Sequence, residues 1–206
     1  MKKVSIAVLV SGGGTNLQAL IDAQHAGGLK HGQITLVISN NPDAYALERA
    51  RNAGITTKVI TRKAHGGQHG FEKALIDTIE ENRIDLIVLA GFMTILSPEF
   101  TKRYPKRILN VHPALIPSFC GKGMYGLRVH EAALAYGVKV TGATVHFVNE
   151  IPDGGEILLQ RPVYVEEGDT PEQLQRRVME QAEWVILPQA AEMVSRRILE
   201  EKENLS

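Results

Sequence analysis

The sequence has one cysteine, one tryptophan and no net charge, its 23 Lys and Arg residues being balanced by 23 Asp and Glu. A lone thiol, Cys120, cannot form an internal disulfide. That excludes a disulfide-stapled secreted scaffold and fits a reducing cytosol. A balanced charge gives no general pull toward nucleic acid or an acidic membrane, so any anion site must be local. No stretch approaches the ~20 apolar residues of a membrane span. The apolar start is short and runs into Gly12-Gly13-Gly14 without a small-residue cleavage pattern, so it reads as a first strand and not as a signal peptide. His25, His31, His65, His69 and His130 show no metal-ligand spacing, and no metal site is expected. A Gly-x-Ser-x-Gly nucleophile elbow is also missing, as are internal repeats and linkers.

What is present is an alternation. Ser5–Val10, Ile34–Ser39, Thr57–Ile60, Ile84–Ala90 and Ile108–His112 read as strands, the first four separated by helical segments near Asn16–Ala26, Ala44–Ala53 and Phe71–Asn82. Strands that are continuously apolar belong in the middle of a parallel sheet. The expected fold is therefore α/β: an open, mostly parallel twisted sheet with helices on both faces and a Rossmann-like N-terminal half. Beyond it, Pro117–Leu127 reads as a loop and Val129–Tyr136 as a helix. Thr141–Val148 and Ile157–Val165 read as strands that can pair as an antiparallel hairpin. The end is a long helical stretch opening at Asp169-Thr170-Pro171. Pro188 is expected to break or kink it.

Three short segments carry chemistry. Ser11-Gly12-Gly13-Gly14-Thr15-Asn16 joins a strand to a helix, where free backbone N–H groups and the helix dipole favour an anion. No Lys follows the glycines, which excludes a Walker A loop. Leu17 stands where a dinucleotide fingerprint needs a small residue, and Asn40 follows the second strand in place of an acid. A phosphate monoester fits best; a ligand-free tight turn is the plain alternative. In Asn110-Val111-His112-Pro113, alternation puts the amide and the imidazole on one face. Pro113 places His112 at the strand's carboxyl end, where open α/β sheets bind ligands. The plain alternative is a structural histidine bonded to a loop carbonyl. In Ile151-Pro152-Asp153-Gly154-Gly155, ordinary turn chemistry competes with a carboxylate that reaches and orients His112. His146 reads as a core histidine or a neighbour of the site, and Cys120 as an incidental thiol.

Taken together, these segments resemble the folate-dependent phosphoribosylglycinamide formyltransferases. Ser11–Ala19 is similar to that family's phosphate loop, Leu89–Met93 to its mid-chain strand and turn, and Asn110–Phe119 to its active-site signature. Thr141–Val148 and Asp153-Gly154-Gly155 resemble the segment carrying its aspartate. The matches run in order from residue 4 to about residue 190. The resemblance implies one formyltransferase domain over residues 1–206, with residues 1–112 as a phosphate-binding half and residues 113–206 as a folate-binding and catalytic-loop half. It implies 10-formyltetrahydrofolate as co-substrate, glycinamide ribonucleotide as acceptor, a monomer or homodimer, and a cytoplasmic enzyme of purine synthesis. Asn110, His112 and Asp153 would be catalytic. Gly14, Thr15, Asn16 and Glu183 would hold the ribonucleotide. Met93, Thr94, Ile95, Leu96, Asn110, Asn149, Glu150, Ile151, Pro152 and Asp153 would line the folate pocket. Three features depart from the family pattern: the loop Cys120–Leu127 is longer, the approach to Glu183 carries one extra residue, and Ala114 stands where a Ser is common.

The alternatives are a formyltetrahydrofolate deformylase, a methionyl-tRNA formyltransferase and a non-catalytic phosphate-binding module. The first is expected to carry an added N-terminal domain, the second an added C-terminal domain and a basic surface. The third needs none of Asn110, His112 and Asp153.

Overall fold

The computed structural model describes residues 3–204. Among them, seven strands form one sheet in the order β3-β2-β1-β4-β5-β6-β7. β1 (Val4–Val10), β2 (Gly32–Ser39), β3 (Thr56–Val59), β4 (Leu86–Leu89) and β5 (Ile108–His112) are parallel. β6 (Val140–Phe147) and β7 (Ile157–Tyr164) add an antiparallel pair. The helices are α1 (Thr15–His25), α2 (Tyr45–Asn52), α3 (Gln68–Glu81), α4 (Pro98–Arg103), α5 (Leu127–Tyr136), α6 (Pro171–Val178) and α7 (Trp184–Glu203).

β1 shows why the sheet sits between two layers. Val4, Ile6, Val8 and Val10 point into a core with α1, α2 and α7, whereas Ala7 and Leu9 point into a second core with α3 and α4. Both sets are fully buried. Each such aliphatic side chain contributes roughly 1.5–3 kcal/mol by leaving water. Phe71 of α3, with no exposed surface, anchors the second layer; its truncation to Ala would cost about 3–5 kcal/mol.

The chain leaves β1 toward β2 on one side and returns through β4 on the other. Strand order thus reverses between β1 and β4, and the crevice outside their carboxyl ends is where such sheets bind ligands. The expected elements are present to within a few residues, except that β4 is confined to Leu86–Leu89. Thr170 caps α6 through a reciprocal capping box with Gln173, as the Asp169-Thr170-Pro171 start suggested.

Pro188 requires a correction. α7 runs through it unbroken. The irregularity lies upstream, where Met179–Glu183 forms a π turn. Pro188 lies inside the helix and removes one backbone donor, a loss outweighed by the burial of Ile186, Leu187, Pro188, Ala190 and Ala191 on the same stretch. π turns are rare and are found frequently at functional sites, and this one ends at Glu183.

Candidate active site

β5 delivers the central pair. Its Asn110 lies opposite His146 of β6, and His112 opposite Thr144, so all four share one face. The His112 ring is buried; its Nε2 lies 2.8 Å from the Phe119 carbonyl and therefore donates to it. Its Nδ1 faces Asp153 Oδ2 at 3.5 Å. The two readings of this histidine thus meet in one residue: it holds a loop carbonyl and it faces the carboxylate.

Asp153 sits in a turn with a positive φ of 57°, a left-handed conformation that Asp tolerates better than most residues. Behind it, a Cβ on Gly155 would fall 1.7 Å from the Phe147 carbonyl, so only glycine fits there. The Gly121 amide donates to Asp153 Oδ2 at 2.9 Å. His146 Nε2 lies 3.6 Å from Oδ1. Burial pushes the Asp153 carboxyl up, but His146, the field of His112 and the Gly121 amide outweigh it and hold the group below its ordinary range. It is an anion at neutral pH.

His146 binds these parts together. Its Nδ1 is 2.9 Å from the Phe147 carbonyl and carries a proton. Its Nε2 lies between Asn110 Nδ2 at 3.2 Å and Asp153 Oδ1 at 3.6 Å. The first of these contacts puts the Asn110 NH₂ on the site side, and the group has a second hydrogen to give.

These groups line a cavity of about 660 Å³. Of the residues expected to bind substrates, Asn16, Met93–Leu96, Asn110, His112, Asn149–Asp153 and Glu183 all border it. Met93, Ile95 and Ile151 are more than half exposed at its mouth. Gly14 and Thr15 are not in the lining. Gly14 instead begins α1 at φ 74°, and a Cβ there would come within 2.6 Å of Ala46. Its glycine is demanded by packing against α2. The α1 N-terminus has no side-chain cap, which leaves its first amides available to an anion.

Glu183 is buried at the end of the π turn and accepts from Asn16 Nδ2 at 2.7 Å. Burial raises its carboxyl to about 7, with the Asn16 bond opposing. The Asn16 Oδ1 is buried without a partner. The long separation in sequence, 167 positions, is bridged because α7 packs on α1.

His146, read from the sequence as a core histidine or a neighbour of the site, is both buried and beside it. One histidine joins the site without having been singled out for it: His130 on α5, fully buried in the cavity wall with neither ring nitrogen hydrogen-bonded. Burial and the nearby His112 lower its pKa to about 4. Val129, His130 and Ala133 form the buried stripe of α5, so helical spacing was the one signal available. Burial first, then the Asp153 charge, pushes the Cys120 thiol up, which disfavours the reactive thiolate.

A formyl transferase family model matches residues 4–191. The chain belongs to the formyl transferase family. It is 43% identical over 206 residues to the phosphoribosylglycinamide formyltransferase of Haemophilus influenzae, covering all of this chain and 93% of that one. It is 44% identical over 203 residues to the human trifunctional purine biosynthetic protein adenosine-3, covering 98% of this chain. This formyl transferase chain spans only 19% of that longer protein. The crystal structure of glycinamide ribonucleotide transformylase 1 from Symbiobacterium toebii superposes with a TM-score of 0.87 at 41% identity, covering 94% of this chain and 88% of that one.

Proposed function

We propose that this formyl transferase moves the formyl group of 10-formyltetrahydrofolate to the amine of N1-(5-phospho-D-ribosyl)glycinamide, yielding the N-formyl product and tetrahydrofolate in purine synthesis. The observation that carries this reading is the meeting of Asn110, His112 and Asp153 in one cavity that extends to Asn16 and Glu183. A phosphate-binding module needs neither that trio nor 660 Å³ of space; a folate-sized ligand needs a cavity of this order.

In this account the amine nitrogen attacks the formyl carbon, and the carbonyl electron pair moves onto oxygen. The Asn110 NH₂ donates to that oxyanion, a contribution of about 2.7–4 kcal/mol for one such donor. Collapse restores the carbonyl and breaks the bond to the folate nitrogen, which leaves with a proton supplied by His112. Asp153, an anion held against His112, orients the ring, takes up the proton that the attacking nitrogen loses and passes it to His112 Nδ1, which replaces the proton His112 gave to the leaving nitrogen. His112 Nε2 donates to the Phe119 carbonyl here, so turnover requires the Phe119 segment to withdraw from it. The free amides at the start of α1 take the phosphate, helped by Thr15 and Asn16. Met93–Leu96 and Asn149–Asp153 enclose the pterin, and Glu183 accepts from the ribose or glycine end of the ribonucleotide. Among the described residues no helix is long and apolar enough to cross a membrane.

The test is product identity. With an isotopically labelled formyl folate, mass spectrometry should find the label on the ribonucleotide amine. Label released only as free formate would overturn the transferase reading in favour of a hydrolase.

A further inference from the structure

The segment between β4 and α4 has no helix or strand of its own, yet it exposes Met93 and Ile95 at the cavity mouth, 56% and 67% open to water. Past Ala90, whose amide donates to the Leu9 carbonyl at 2.9 Å, no strand pairing holds it among the described residues. Side chains from elsewhere do. Ser11 Oγ accepts from the Met93 amide at 2.9 Å, and Asn40 Nδ2 donates to Thr94 Oγ1 at 2.7 Å. From α3, Gln68 Nε2 donates to the Ile95 carbonyl at 3.1 Å. Glu72, one turn further along α3, accepts from the Ser97 amide at 2.7 Å and from the Ser97 hydroxyl at 2.6 Å. Gln68 also donates to Glu72, which ties the two α3 residues into one clamp.

Glu72 is 7% exposed, and its hydrogen-bond partners are neutral. A buried carboxylate without a cation is costly unless several donors satisfy it. Capping α4 does not require it, because Ser97 Oγ already accepts from the Phe100 amide. What Glu72 adds is a fixed position for Ser97, which follows directly on the Met93–Leu96 wall, whose Met93 and Ile95 are exposed and whose Leu96 is buried. We propose that Glu72, with Gln68, is a positioning residue for the folate co-substrate, acting through the Ile95–Ser97 segment. This rests on the reading of Met93–Leu96 as the folate wall. Without the clamp the wall samples other conformations, and apparent folate affinity falls by the fraction of time it is in place.

The experiment compares Glu72→Ala and Glu72→Gln with Gln68→Ala, Ile95→Ala and Thr78→Val in the full chain. Thr78 is also buried on α3 and bonds Lys58, away from the wall. Michaelis constants for both substrates, kcat at saturating folate, and Tm are read for each. Glu72→Ala should raise the folate KM about tenfold, as for a wall competent one-tenth of the time. The ribonucleotide KM and kcat should stay within about twofold, the pattern of lost uniform binding. Glu72→Gln, which still accepts from the Ser97 amide, should restore most of the affinity. Gln68→Ala should shift the folate KM in the same direction, which decides the matter if Glu72→Ala does not fold. Thr78→Val should lower Tm and move neither KM. An unchanged folate KM in Glu72→Ala, beside a raised one in Ile95→Ala, would overturn the clamp alone. Parallel rises in both KM values that follow Tm would reduce it to general loosening. No folate effect in Ile95→Ala would overturn the folate wall, and the clamp with it.

Discussion

At His112 both ring nitrogens are engaged, one by the Phe119 carbonyl and one by Asp153. Its removal therefore has two effects of different size. His112→Ala should lower kcat about 10²–10⁴-fold, the range for a lost acid–base group. Stability should fall by only about 1–3 kcal/mol, because the Phe119 carbonyl loses its donor while Asp153 loses one neighbour and keeps the Gly121 amide. Kinetics beside urea melts check this; a variant with no cooperative transition would contradict it. Asn110→Ala should lower kcat about 10²–10³-fold with little change in either KM, since its donor acts on charge that develops only in the transition state. A rise in folate KM at unchanged kcat would make Asn110 a binding group. That Asn110 and His112 share one face was legible in the sequence because strand alternation and a terminating proline fix direction locally, whereas Asp153 could be placed beside His112 only through the family resemblance, its segment reading equally well as an ordinary turn. The roles of His146 and His130 were not legible. His146 depends on its pairing opposite Asn110 across two strands, and His130 on how α5 is laid against the cavity. Neither leaves a mark in nearby residues.

Among the elements, the π turn and α5 each bury an ionisable group at the cavity, and their pH effects oppose each other. Glu183 holds its proton more tightly when folded, about 7 against an ordinary 4.5. Its stabilising effect is complete below the lower value and is lost as pH rises through the upper one. His130 holds its proton less tightly when folded, about 4 against 6.5. Its effect is complete above 6.5 and is lost as pH falls toward 4. Between these limits the two slopes offset each other. Glu183→Gln should unmask the histidine, so that its stability drops more steeply than the wild type's on acidification from neutral pH to about 5. Urea melts across that range provide the check, and parallel curves for the two proteins would refute the pairing. Element positions were largely readable from apolar periodicity and turn residues. Pro188 does not break the helix, because tertiary burial of the surrounding apolar residues outweighs the local proline penalty, and that burial leaves no local mark in the sequence.

For the molecule as a whole, the sheet joins what the sequence divides. β5, in the N-terminal half, pairs with β6, and α7 packs across α1, β1 and β2. Residues 1–112 alone would expose the face of β1 that α7 covers, so that fragment should lack a cooperative unfolding transition while the full chain shows one. A stable fragment would mean two domains. The strand reversal between β1 and β4 sets the crevice, and this much followed from the alternating βα pattern. The contacts across it, such as Ser11 with Met93 and Asn16 with Glu183, join residues far apart in the chain and emerge only from the fold. The central claim is that these contacts assemble a two-substrate transferase. Steady-state release of tetrahydrofolate from the formyl folate, measured with and without glycinamide ribonucleotide, tests it most directly. Turnover that requires the ribonucleotide and disappears in His112→Ala is the expected result. Equal turnover without the ribonucleotide would contradict the account.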